Sequence, residues 1–145
     1  DIETDTKFFV QKCRAGADFA VTQMFFDEEE YFRLRDRVAA EGCDTPIVAG
    51  VMPVTSMRTI EKAELFSGAP FPPRLAAEFE KISDDPKAVR ALGIEQATRM
   101  CQRLLDEGVP GIHFITLNRS TATREVWHNL GVGSVIQPVR ATELV

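Results

Sequence analysis

Two short stretches decide the fold: Thr22-Gln23-Met24-Phe25-Phe26-Asp27 and His113-Phe114-Ile115-Thr116-Leu117-Asn118-Arg119. Each is an apolar run that stops at polar groups, and a helical pattern follows each. Apolar, β-prone runs alternating with helical patterns imply a parallel sheet whose strands are joined by helical crossovers. In parallel α/β barrels, side chains at the C-terminal ends of the strands build the active site. Gln23 and Arg119 occupy such strand ends.

Working outward, residues 4–15 predict a helix on the recurrence of Phe8, Phe9, Lys12 and Cys13, closed by Gly16. Residues 18–26 predict a strand of the type buried on both faces. The acidic run at 27–30 suits a helix start, and that helix carries Tyr31, Phe32, Leu34 and Val38 to Gly42. Pro46 introduces a second strand over 47–52. Thr55 or Ser56 caps a helix reaching about Phe66 and ending near Gly68. A stiff Pro-rich loop spans 69–73, and a helix is expected over 73–82. Ser83-Asp84-Asp85-Pro86 is a helix-start signal, and a long helix is expected over 94–107, ended by Gly108. A third strand over 111–117 and a last helix over 120–130, closed by Gly131, complete a unit spanning 1–131. Residues 132–145 show no pattern and read as an irregular tail. Three strands are few for an independent parallel sheet, and a full (β/α)₈ barrel needs about 200 residues or more. The chain is either a small open α/β domain or the last part of a barrel.

Composition narrows the function classes. The chain has 145 residues, enough for one domain with a real core. Its net charge of −5, from 17 Lys+Arg against 22 Asp+Glu, argues against a broad nucleic-acid or anionic-membrane surface. A local basic pocket remains open. No apolar run nears the roughly 20 residues of a membrane span, and the opening Asp-Ile-Glu-Thr-Asp is not a secretory leader. Cys13, Cys43 and Cys101 are an odd, widely spaced set, which argues against a disulfide framework or a zinc site. Cys13 and Cys101 fall on helical patterns as small hydrophobes, and a reducing cytoplasm is the expected compartment. Phosphate-cradling glycine motifs, metal-ligand spacings and nucleophile motifs are all missing from the sequence.

The candidate residues each carry two readings. The Gln23 amide offers donor and acceptor to a heterocycle with an amide-like edge, or it is a buried Gln satisfied by neighbouring backbone. Arg119, after Asn118, binds a carboxylate bidentately or stacks on a ring, or it pairs with a helix acid such as Glu125. Asp5 and Lys12, two helical turns apart, share one face and are either ligand contacts or solvated charges. His113 reads as a structural histidine at the start of the third strand, away from the active end, and His128 as exposed.

An ordered set of segments adds to this. Ala15-Gly16-Ala17-Asp18 leads into Thr22-Gln23-Met24-Phe25-Phe26. Pro46-Ile47-Val48, Gly50-Val51-Met52-Pro53-Val54 and Arg90-Ala91-Leu92-Gly93-Ile94-Glu95 follow. Residues 113–119 and Asn129-Leu130-Gly131 close the series. Together they strongly resemble the C-terminal part of the methylenetetrahydrofolate reductases. The resemblance implies the C-terminal portion of a (β/α)₈ TIM barrel that binds FAD without a dinucleotide fingerprint. It implies reduction of 5,10-methylenetetrahydrofolate to 5-methyltetrahydrofolate for methionine synthesis, with NADH or NADPH as hydride donor. By the same resemblance Gln23, Ile115 and Arg119 are substrate-binding positions and Asp5 and Lys12 are cofactor-binding. The chain departs from the family at Ile115, often tyrosine, and at Phe8, often a polar flavin contact. The family's catalytic glutamate falls in earlier strands, so no catalytic residue is assigned here. The chain is then expected to supply the folate-binding half of a site, self-associating or pairing with a complementary N-terminal barrel half. The alternative is a non-catalytic fragment that binds folate or nucleotide, or that only folds.

Overall fold

The computed structural model describes residues 1–68 and 70–132, so the tail expected over 132–145 lies, Val132 apart, outside the described residues. The elements run α1 (Ile2–Arg14), β1 (Ala20–Met24), α2 (Glu28–Ala40), β2 (Ile47–Val51), α3 (Met57–Ser67), α4 (Pro73–Glu80), α5 (Pro86–Asp106), β3 (Ile112–Phe114) and α6 (Thr121–Asn129). The three strands form one parallel sheet in the order β1-β2-β3. This is the expected helix followed by three strand–helix repeats, with the additional helices between β2 and β3.

Local chemistry sets the boundaries. Asp27 caps α2 from an extended conformation, its carboxylate accepting the Glu29 N–H at 3.0 Å. Asp85 caps α5 by accepting from Lys87 and Ala88 at 2.9 and 3.1 Å, with Pro86 in the first turn. The start expected at 83–86 and the helix expected over 94–107 are therefore one helix of 21 residues. Gly68 ends α3 at φ 73°, a left-handed conformation that glycine adopts without a Cβ penalty.

Ile47, Ala49 and Val51 of β2 pack into the main core with Val10 and Cys13 of α1, Tyr31, Phe32 and Val38 of α2, Ile94 to Leu104 of α5, and Ala122 and Val126 of α6. Ile112 and Phe114 pair with Ala49 and Val51 and join that core. Helices α1, α2, α5 and α6 cover this face. On the other, Val21 pairs with Val48 and is 44% exposed, and His113 pairs with Gly50 and is exposed. The strand expected to be buried on both faces is thus shorter and covered on one. A second cluster of Val54, Phe79 and Val89, with Phe26, Phe71 and Leu92 against it, sits beyond the strands' C-terminal ends. The Pro-rich loop contributes Phe71, which packs between Phe26 and Phe79 at centroid distances of 4.8 and 6.2 Å.

All three cysteines are buried and free. Cys101 is fully buried, and burial pushes its thiol from near 9 up to about 12. Below pH 9 both folded and unfolded chains keep the proton, so nothing is lost there. Above it the unfolded thiol ionises first, and stability is expected to fall by up to about 4 kcal/mol as the pH approaches 12. Urea midpoints measured on either side of pH 9 check this, and Cys101→Ala should flatten the decline.

Candidate functional site at the strand ends

The β1–β2 pairing is irregular where the site begins. Val21 pairs with Val48 and Met24 with Gly50, so Thr22 and Gln23 together oppose Ala49, forming a bulge. The Thr22 hydroxyl takes over a ladder contact, accepting the Gly50 N–H at 2.8 Å. The strands approach so closely that a Cβ on Gly50 would lie 2.5 Å from the Thr22 carbonyl oxygen. Thr22→Val leaves the Gly50 N–H without its acceptor in a tight contact. The expected loss is about 1–3 kcal/mol of stability, measured by chemical denaturation.

The bulge sets Gln23 beside Gly50, exposed rather than buried among backbone. Its Oε1 accepts the Met24 N–H at 3.0 Å, which fixes the amide and leaves its NH₂ group facing outward with no partner among the described residues. Bulges re-aim side chains next to active sites.

At the end of β3 the ladder continues one residue further, the Ile115 N–H donating to Val51 O at 2.9 Å. The strand expected to reach Leu117 stops there because Leu117 and Asn118 both turn left-handed, at φ 47° and 62°. The Arg119 N–H closes this turn on Thr116 O at 2.8 Å. A leucine at positive φ is rare and costs on the order of 1–3 kcal/mol, and here the turn presents Arg119. The Arg119–Glu125 pairing considered from sequence does not form. Glu125 holds Arg90 instead, through two hydrogen bonds of 2.6 and 3.1 Å. That guanidinium keeps the Glu125 carboxyl below its usual range. Arg119 is left exposed, with no ion pair among the described residues.

Ile115 and Arg119 line one cleft together with Met52, Pro53 and Leu117. Gln23 stands two strands away. At about 4.8 Å between neighbouring strands, β1 and β3 lie about 10 Å apart, a span for an elongated ligand with unlike ends. Asp5 and Lys12 are exposed on α1, opposite the buried Thr6, Val10 and Cys13, with Phe8 also exposed. No hydrogen bond or ion pair links them to Gln23 or Arg119 among the described residues.

Sequence reasoning set His113 at the remote start of the third strand; it lies within β3, on the uncovered face. Its two-residue spacing from Ile115 was the available signal. Sequence reasoning missed Arg58 and Lys62, which line the same cleft as Arg119.

Parallel strands alternating with helices place the chain in the (β/α)-barrel class. The family profile described as methylenetetrahydrofolate reductase matches residues 1–131. The chain belongs to the methylenetetrahydrofolate reductase family. It is 38% identical over 121 residues to the 5,10-methylenetetrahydrofolate reductase of Pectobacterium carotovorum, covering 83% of this chain and 41% of that one. It is 34% identical over 131 residues to a probable methylenetetrahydrofolate reductase (NADPH) of Caenorhabditis elegans, covering 90% and 20%. The chain thus spans about two fifths or less of these relatives. Among solved structures, an uncharacterized Clostridium thermocellum protein described as binding two copies of 5-methyl-5,6,7,8-tetrahydrofolic acid superposes with a TM-score of 0.54. Its identity is 14%, over 90% of this chain and 48% of that one, a likeness of fold. No helix among the described residues is long and apolar enough to cross a membrane.

Proposed function

We propose that this chain supplies the folate-binding part of a flavin-dependent site that reduces 5,10-methylenetetrahydrofolate to 5-methyltetrahydrofolate with NADH or NADPH. The observation that carries this is the pairing of an outward-facing amide at Gln23 with an uncommitted guanidinium at Arg119, at the strand ends of a chain of this family. The Gln23 NH₂ suits the carbonyl of a pterin's amide-like edge. Arg119 closes its fork on a carboxylate at the ligand's far end. Ile115 lines the apolar wall near it.

The chemistry of α1 fits a flavin nucleotide in part: Lys12 offers a cation for phosphate, Asp5 an acceptor for a hydroxyl, and Phe8 an exposed ring between them. FAD, when bound, would supply the hydride-transferring ring. The residues of this chain orient the folate. Three free, buried thiols support a cytoplasmic location. The exposed Phe19 and Val21 at the β1 edge suit pairing with a second copy or a complementary barrel half. A light-scattering mass that stays monomeric across concentration would contradict that pairing.

A second reading, binding without turnover, is favoured by one observation. None of the side chains assigned to the uncovered sheet face or its bulge (Val21, Gln23, Val48, His113) is a carboxylate to act as general acid. Calorimetric titration of the chain with 5-methyltetrahydrofolate tests the shared folate claim. Binding is expected and should weaken about tenfold in Gln23→Ala. Equal affinity in that variant would remove Gln23 from the site. NAD(P)H-dependent turnover of methylenetetrahydrofolate by the same sample separates the two readings.

A further inference from the structure

Cys13 and Cys43 meet at the end of the sheet opposite the strand-end site. Cys13 sits on the last turn of α1, and Cys43 lies in the segment joining α2 to β2. Both are buried in the cluster that holds Val10, Val38 and Ile47. Their thiols stand close enough to interact directly, and each acts on the other's ionisation. Arg14 fixes this approach. Its guanidinium donates to the Glu41 carbonyl at 2.7 Å, tying the end of α1 to the end of α2. The Cys43 N–H donates to Val38 O at 3.2 Å, which holds the segment against α2.

The two thiols differ in chemistry. Cys43 donates to Thr45 Oγ1 at 3.5 Å. On ionisation that hydroxyl turns and donates to the sulfur. The Thr45 hydroxyl, then its N–H, with Arg14 nearby, hold the Cys43 thiol below its usual value. Burial, and then the neighbouring Cys43, push the Cys13 thiol up. The thiolate is the nucleophile in thiol oxidation, so Cys43 attacks and Cys13 resolves. Cys101 is the contrast, since burial alone acts on it inside α5. Glu41, Gly42 and Asp44 beside Cys43 are exposed, and a short irregular segment opens locally at lower cost than a core strand.

We propose that Cys13 and Cys43 are a redox-active pair that closes to a disulfide in place under a peroxide oxidant and reopens with a dithiol reductant. The Cys43 thiolate attacks one oxygen of hydrogen peroxide, the O–O bond breaks and hydroxide leaves, giving a Cys43 sulfenic acid. That hydroxide takes up the proton Cys43 released. The Cys13 sulfur then attacks the Cys43 sulfur and displaces the sulfenic oxygen, which leaves as water with the Cys13 proton. The two sulfurs lose two electrons in all, and the peroxide is reduced to two waters. A dithiol returns both electrons by exchange through a mixed disulfide. The bond closes a loop of about 30 residues around β1 and α2, and it pins the end of α1 beside the start of β2.

The test is peptide mapping of the folded chain without reduction, after stoichiometric hydrogen peroxide. The expected product is one intramolecular Cys13–Cys43 link, two hydrogens lighter than the parent, with Cys101 still a free thiol. Its urea midpoint is expected to rise by about 1 M or more, because the cross-link constrains the unfolded chain, and dithiothreitol should return it. Cys13→Ser under the same oxidant should halt at a Cys43 sulfenic acid trapped by dimedone, with no rise in midpoint. Four results overturn the pair: both thiols unreacted in the folded parent, a sulfenic acid that persists there, a link between two chains, or a linked chain whose midpoint does not rise.

Discussion

Gly93→Ala is expected to destabilise the chain by about 3 kcal/mol or more, enough to shift its urea midpoint strongly or abolish soluble expression. Intrinsic propensity predicts the opposite sign, since alanine improves on glycine inside a helix by about 1 kcal/mol. Gly93 lies inside α5, and a Cβ there would come within 1.7 Å of the Val54 carbonyl oxygen and 2.7 Å of its carbon. Both atoms are backbone, so no side-chain rotamer relieves the clash. The helix or the segment after β2 would have to shift. Gly93 also marks the point where α5 passes from the cluster around Val54, Phe79 and Val89 to the main core beginning at Ile94. Separating α5 from Val54 would disturb the second cluster and the mouth of the strand-end cleft, where Met52 and Pro53 precede Val54. A variant as stable as the parent would show that this close approach does not form.

Arg119→Ala is expected to weaken 5-methyltetrahydrofolate binding about 10- to 100-fold, the value of one or two charge-assisted hydrogen bonds. Its unfolding midpoint should not move, because the side chain is exposed and holds no ion pair among the described residues. Arg119→Lys should recover only part of the loss, since an ammonium keeps the charge and not the fork. The contrast with Arg90 sharpens the reading. Arg90 lines the same cleft but has its guanidinium occupied by Glu125, so Arg90→Ala should cost stability at the α5–α6 contact more than ligand affinity. Calorimetry and denaturation on both variants separate the two roles.

The order of elements was legible in the sequence because each apolar run stops at a residue with a turn or capping chemistry. Asp27 and Asp85 signal their helices through side-chain oxygens that accept the first free N–H groups, a property local to a few residues. Gln23 and Arg119 were legible as candidates for the same reason, since both end apolar runs. What was not legible depended on partners far away in the chain. The bulge at Thr22 and Gln23 exists only relative to Gly50, whose N–H it captures from 28 residues away. The one-sided exposure of β1 depends on where the helices pack. Glu125 pairs with Arg90 across 35 residues, and the nearer Arg119 lost the contest to that geometry. Gly93 reads as a helix-weakening residue until the approach of Val54 is seen.

The central claim is that the strand ends of this chain hold a folate between Gln23 and Arg119. An amide-resolved NMR titration of the labelled chain with 5-methyltetrahydrofolate tests it most directly. The account predicts saturable shifts concentrated at Gln23, Met24, Gly50, Ile115 and Arg119. Shifts confined to residues away from the strand ends, or no saturable shifts at all, would contradict it.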